Sequence, residues 1–175
     1  MTVYLDIETT ALFDRGYTVE PIEIAYWQDG GGPARIVLPH TLVNADPDAL
    51  RINRYYERHL DDPSMWDGRD ALDGLRSKLV ANQIASSAPW FDERVLLGLF
   101  GRQVWDHHLI DVPTYYAGAV GIEGSLGLAG SVQHAKQHFG VFFEQEPNHT
   151  AMGDTAAART LHKWALNYNQ IRSTR

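Results

Sequence analysis

The sequence predicts an α/β fold: a mixed β-sheet, antiparallel in its early strands and parallel in its later ones, flanked by α-helices. Two observations carry the prediction. Three short apolar runs separated by turn residues come first, and helical and strand patterns then alternate up to one long helical pattern. A third observation bears on where a site would form. In open sheets of this type, sites lie at the carboxyl ends of strands, and the first strand ends in two acids, Asp6 and Glu8.

Taken in order, TVYLDIE at residues 2–8 reads as the first strand and PIEIAYW at 21–27 as the second. The stretch 28–33, with three glycines and Pro33, is a turn, and ARIVLP at 34–39 is a third strand. The glycines do not make a phosphate loop, because no Gly-Lys-Ser/Thr follows them. Residues 46–59 have a helical pattern, with Asp46 as N-cap and Pro47 at the first position. A loop follows at 61–68. A second helix over 70–82 spaces Leu72, Leu75, Leu79 and Val80 for burial. QIASSA at 83–88 is a short strand, and Pro89 opens a helix over 89–101. HHLIDV at 107–112 is a buried strand, followed by helices near 114–120, 128–139 and 150–171. There is no repeat, low-complexity stretch or linker, so residues 1–175 are expected to form one domain.

Composition narrows the function classes. Hydrophobic residues make up 44% and charged residues 21%, which is ordinary for a soluble globular chain. With no cysteine, disulfide frameworks, thiolate zinc sites and a cysteine nucleophile are excluded. A reducing cytosol suits such a chain. No signal peptide is read at the N-terminus, and no apolar run approaches the roughly 20 residues that span a bilayer. A cytoplasmic location is expected, without a membrane partner. The net charge of −7 does not advertise nucleic-acid binding, but acids that hold divalent cations would alter that balance locally.

Asp6 and Glu8 pose the central question. Alternate residues of a strand share a face, so the two carboxylates stand side by side and repel. A hard cation between them would reverse the sign. Magnesium and manganese favour carboxylate oxygen and water, and two such ions about 3.5–4 Å apart serve phosphoryl displacement. Further acids would be needed. Asp92 lies in SSAPWFDERVL at a strand-to-helix transition, where a helix-start acid is the plainer reading. Asp154 lies in NHTAMGDTAAARTL, one turn into a helix and on its buried face, an unusual place for an acid without a partner. His149 precedes that helix, as a cap, a packed side chain or a group leaning over the same site.

With D-I-E-T-T, W-F-D-E-R-V-L and H-T-A-M-G-D in this order, the sequence resembles the DEDD exonuclease superfamily, and its third motif resembles the DEDDh branch. That branch includes proofreading exonucleases, oligoribonuclease and RNase T. The resemblance implies an RNase H-like fold and a 3′–5′ exonuclease that releases nucleoside 5′-monophosphates from single-stranded RNA or DNA with a free 3′ end. It implies Asp6, Glu8, Asp92 and Asp154 as ligands of two Mg²⁺ or Mn²⁺ ions, with His149 as general base. Thr9 matches the residue whose backbone meets the terminal 3′-hydroxyl, and Leu12 the residue that wedges against the last base. Phe91 packs beside the terminal nucleotide or within the core, and for Leu12 a core reading also stays open. Ala11 and Ala88 depart from a frequent glycine and asparagine, which bears on substrate contacts rather than on metals. Compact relatives act alone or as homodimers, and cellular and phage origins, the latter placing the chain in host cytoplasm, both stay open.

Other residues are weighed on their own. Tyr55, Tyr56 and Trp66 with Arg51, Arg54 and Arg58 suit either a single-strand track or an amphipathic helix with a solvated basic face. Lys136 and Arg159 are further phosphate candidates. Asp111 reads as structural. His107 and His108, adjacent on the expected strand, would face opposite ways and make poor joint ligands. An RNase H-like endonuclease shares the acidic sheet site, but the histidine of H-T-A-M-G-D speaks against it. A catalytically idle nucleic-acid-binding module would be expected to lack one or more of these five residues.

Overall fold

The structure is a computed structural model that describes residues 1–13 and 15–174. The central strand is β1 (Thr2–Thr9), which runs antiparallel to β2 (Pro21–Gln28); β2 in turn runs antiparallel to β3 (Pro33–Val37). On its other side β1 pairs in parallel with β4 (Gln83–Ser86), and β4 pairs in parallel with β5 (Ile110–Asp111). The sheet order is β3-β2-β1-β4-β5, so the expected mixed sheet is present. The helices are α1 (Pro47–Ile52), α2 (Arg69–Leu79), α3 (Pro89–Phe100), α4 (Val112–Val120), α5 (Gly127–Phe139) and α6 (Ala151–Ser173).

The alternation of β1 divides the core. Val3, Leu5 and Ile7 point to one face, where α2 and α3 bring Leu75, Leu79, Val95 and Leu96 against them. Tyr4, Asp6 and Glu8 point to the other, which α4, α5 and α6 cover. There Tyr4 packs with Tyr116, Val132, Ala157, Ala158, Leu161 and Ala165. Small residues line the buried side of α6, so its backbone comes close to the sheet, and Thr155 Oγ1 donates to the Ala25 carbonyl of β2 at 3.3 Å. A helix that lies this near the sheet carries whatever its first turn holds down to the end of β1.

Three elements depart from the sequence expectation, the first being the helix expected over 70–82, which ends at Leu79 and leaves Val80, expected to be buried, exposed. The helix expected over 46–59 ends at Ile52. Asn53 turns its amide onto the Thr9 carbonyl at 3.0 Å, Arg54 and His59 take φ of 54°, and the chain curls so that Tyr55 and Leu60 join Leu50 in a small core. The strand expected over 107–112 forms only at Ile110–Asp111. Upstream, Asp106 Oδ1 accepts the His108 N–H at 2.8 Å and folds that stretch into a turn. Asp111 is structural, as its Oδ1 accepts the Thr114 N–H at 2.9 Å and caps α4. Among the described residues, no helix is long and apolar enough to cross a membrane.

Candidate active site

Four elements deliver the acids. β1 ends with Asp6 and Glu8 on the α6 face, and a register shift between Glu8 and Thr9 ends the regular pairing there. β4 leads through Ser87 and Ala88 into α3, where Pro89 fixes the first turn and Asp92 falls within it. Thr150 caps α6, its hydroxyl accepting the Gly153 N–H at 3.0 Å, and Asp154 follows in the first turn. Asp6, Glu8 and Asp154 each offer an oxygen, and these oxygens lie within 4.8 Å of one another. Asp92 stands just outside that trio, 2% exposed, and its Oδ2 is buried without a hydrogen-bond partner.

The electrostatics follow from crowding. Burial and then the charges of Asp92, Glu8 and Asp154 push the Asp6 carboxyl well above the usual carboxylate range, with the Ser87 hydroxyl at 3.4 Å opposing them. Burial, then Asp154 and Glu23, push Glu8 up to about 8, against the pull of Arg58. Burial pushes Asp92 up to about 7. Asp154 is raised by burial as well, though the N–H groups of Asn148 and His149 point at it. Among the described residues no lysine or arginine pairs with Asp6, Asp92 or Asp154. An all-oxygen donor set, one orphaned carboxylate oxygen and mutual repulsion together fit a hard divalent cation.

Beyond the trio, His149 is exposed at the rim with φ of 55°, a left-handed backbone that the N-cap loop imposes. It lines two adjoining cavities. The smaller, about 250 Å³, is also lined by Thr9, Leu12, Asn53 and Phe91. The larger, about 440 Å³, takes in Asp6, Glu8, Asp92 and Asp154 together with Leu12, Phe91 and His149. Leu12 is 45% exposed, so the core alternative for it falls away. Phe91 is buried, packs on Phe13 at 5.2 Å between centroids, and still borders both cavities. Thr9 is buried, with its hydroxyl donating to the Ala11 carbonyl at 2.7 Å.

Several expectations are corrected. Tyr55 and Trp66 belong to the small core beside α1, and Arg58 is drawn inward to Glu23, so a track of interleaved aromatics and cations does not form; Tyr56, Arg51 and Arg54 alone stay exposed from that set. Arg159 lies over the Trp27 ring at 4.2 Å, and Lys136 pairs with Glu146. His107 and His108 are not on a strand. Their rings sit 3.8 Å apart, and with Asp106 they bring three ligand atoms together.

Glu23 escaped the sequence reading. In β2 it pairs in register with Glu8 and is fully buried. Arg58 Nη2 donates to both its oxygens at 2.6 Å, Arg35 pairs with it as well, and the Ala151 N–H at the start of α6 reaches it at 3.1 Å. An acid inside the apolar run Ile22-Glu23-Ile24-Ala25 was the available signal. The third motif is therefore tied to the sheet through a carboxylate opposite the first.

The sheet order and helix placement define an RNase H-like α/β fold, and solved structures of exonuclease I share it. By structure, the chain is similar to E. coli exonuclease I in complex with a dT13 oligonucleotide, with TM-score 0.63 and 18% identity over 99% of this chain and 42% of that one. It is similar to a product-bound exonuclease I structure, with TM-score 0.63, 18% identity, and 98% and 44% covered. The E. coli enzyme with a dA16 oligonucleotide gives TM-score 0.60, 17% identity, and 99% and 43% covered. The chain thus spans less than half the length of these structures. No family model matches the sequence, and a sequence comparison with characterised proteins finds no match.

Proposed function

We propose that this chain is a divalent-metal-dependent 3′–5′ exonuclease of the DEDDh type, acting on single-stranded nucleic acid from a free 3′ end. The observation that carries the reading is the convergence of Asp6, Glu8 and Asp154 within 4.8 Å, beside the orphaned oxygen of Asp92 and below His149. The fold shared with exonuclease I, solved with dT13 and dA16, supports single-stranded DNA as the first substrate to try.

Asp6, Glu8, Asp92 and Asp154 would hold two Mg²⁺ or Mn²⁺ ions, whose chemistry is to polarise phosphoryl oxygen and acidify water. The protein's own residues do the rest. Leu12 and Phe91 hold the terminal nucleotide in the smaller cavity, with the Thr9 backbone at its 3′-hydroxyl. His149 takes the proton from the attacking water at an imidazole nitrogen as the new oxygen–phosphorus bond forms. The bond from phosphorus to the 3′ oxygen of the next nucleotide breaks, that oxygen takes a proton from solvent, and a nucleoside 5′-monophosphate leaves. Residues 1–175 would act as one catalytic domain.

The test uses 5′-labelled single-stranded DNA and RNA of matched sequence, incubated in Mg²⁺, Mn²⁺ or EDTA, with Asp154→Ala alongside. A ladder shortening from the 3′ end, absent in EDTA and in the variant, is expected. Internal fragments would indicate an endonuclease, and intact oligonucleotides in both metals would overturn the proposal.

A further inference from the structure

Trp90 is 65% exposed in the first turn of α3, one residue before Phe91 and two before Asp92. A single exposed apolar side chain is common and needs no explanation. Its position is what calls for one. Trp90 lines the larger cavity together with Asp6, Asp92 and Asp154 but not the smaller one, whereas Thr9, Ile52 and Asn53 line only the smaller. Glu8, Leu12, Phe91 and His149 border both and so mark the boundary between them.

This division orders a bound strand along the site, granted the exonuclease reading above, on which the inference rests. The terminal nucleotide sits on the Thr9 side, and the scissile phosphate sits at the carboxylates. The nucleotide that becomes the new 3′ end then emerges on the Trp90 side. Phe91 stands perpendicular to the indole, at 89° and 5.9 Å between centroids, and among the described residues it is the aromatic neighbour of Trp90. The indole therefore has no parallel ring stacked on it. Ala88, which borders the same cavity, offers a methyl group and no side-chain hydrogen bond, so this wall holds a strand by contact area rather than by polar pairing. We propose that Trp90 is a stacking platform for the base of the penultimate nucleotide, which sets the grip on the strand and leaves the chemical step to the carboxylates and His149.

The proposal is tested by fluorescence anisotropy in an Asp154→Ala background, where the strand is not consumed, with 5′-labelled single-stranded DNA. Three oligonucleotides are compared: intact, abasic at the penultimate position and abasic at the terminal position. Stacking on an aromatic residue predicts that Trp90→Ala weakens binding of the intact strand about tenfold, and Trp90→Phe far less. The penultimate abasic site should weaken binding to the Trp90 protein by a similar factor, and add no further loss in Trp90→Ala. The terminal abasic penalty should persist in both. In otherwise unaltered enzyme, Trp90→Ala should raise KM while kcat holds. Equal binding of the intact strand by Trp90→Ala, or a penultimate penalty that survives the substitution, would overturn the platform. A chain that binds these strands but never shortens them sinks the nuclease reading while the abasic comparison still decides Trp90. A chain that binds none of them sinks both. Trp90 is exposed, so a melting temperature close to that of the parent protein is expected for each variant.

Discussion

Glu8 and Glu23 face each other across β1 and β2, in register, Glu23 fully buried and Glu8 half-buried at the cavity wall. Their fates differ. Glu23 is held by Arg58, Arg35 and the Ala151 N–H, and despite its burial the bonds to Arg58 and Arg35 keep its carboxyl below the usual range. Glu8 shares its surroundings with Asp6 and Asp154, and its carboxyl is pushed up to about 8. A buried carboxylate must be neutralised by something. For Glu23 the protein supplies the cations. For Glu8 it supplies more acids, which makes sense where positive charge arrives from outside. The first arrangement builds a frame, and the second leaves a site to be filled.

The largest test of this contrast removes the site's acids. Asp154→Asn or Glu8→Gln should lower exonuclease activity by about a thousandfold or more. Without divalent cations at neutral pH or above, the same variants should unfold at a higher temperature than the parent protein, since each removes a carboxyl that is harder to ionise in the folded site than in the unfolded chain. Activity assays paired with thermal melts in EDTA check both arms. A variant that loses activity and is also less stable without metal would break the comparison, because the acids would then be structural.

Glu23 should behave in the opposite way. Glu23→Ala leaves the Arg58 guanidinium, which is only 16% exposed, without its partner. Breaking a buried pair from one side costs about 3–5 kcal/mol. Chemical denaturation should show that loss in EDTA and in metal alike. The double variant Glu23→Ala, Arg58→Met should recover part of it, because the uncompensated charge is gone. If Glu23→Ala were as stable as the parent protein, the frame would have to lie elsewhere.

The sequence made the site easier to read than the frame. Asp6 and Glu8 announce themselves because two acids at a strand end contradict the pattern around them, and Asp154 because it interrupts an alanine-rich face. Such conflicts between local pattern and charge mark functional positions. Glu23 is an equal anomaly, yet its cations come from Arg35 on the next strand and Arg58 in an irregular segment. No local spacing links those three residues. The helix end at Ile52 was hidden for the same reason, since the Asn53 amide is fixed by the Thr9 carbonyl, 44 positions earlier in the chain. The strand expected at 107–112 failed on a local bond, Asp106 to the His108 N–H, which competes with sheet pairing and leaves the two histidine rings side by side, tilted at 42°.

The two glutamates also pull the pH dependence of stability in opposite directions. In the unfolded chain Asp and Glu titrate at about 4. Asp92 and Glu8, raised to about 7 and about 8 in the folded protein, hold their protons more tightly when folded. Their contribution is fully present below about pH 4 and is lost as pH rises through about 7 to 8. Glu23, with its carboxyl lowered, contributes stability above about pH 4 that is lost as the solution is acidified further. In EDTA the melting temperature should therefore fall from about pH 5 to pH 8. Saturating Mg²⁺ or Mn²⁺ should flatten that fall, by about 3 kcal/mol when the ion is at a hundred times its Kd. Melts across this range with and without metal decide it, and a metal-free curve that rises towards pH 8 would contradict the site side of the contrast.

The smallest expected effect probes the seam between frame and site, at Gly153. A Cβ there would collide with the Asn148 side-chain carbonyl and stand 3.0 Å from Thr150 Oγ1. The Asn148 amide end can swing aside, but it then gives up the Thr150 hydroxyl, which donates to its Oδ1 at 2.8 Å, and the N-cap of α6 is disturbed. Gly153→Ala should cost about 1 kcal/mol of stability, the usual scale for a compromised cap. The Glu23 bond to the Ala151 N–H stays in place, so α6 keeps its seat on the sheet. The backbone N–H of Asn148, which holds Asp154 Oδ1 at 2.9 Å, and His149 beside it lie on the segment that must shift. Activity should consequently drop by about tenfold, more than the stability change alone would produce. Measuring kcat/KM with the metal dependence of the variant separates the two effects. A fall in melting temperature with unchanged kcat/KM would mean that the loop from Asn148 to Thr150 belongs to the frame and that Asp154 is fixed by α6 alone.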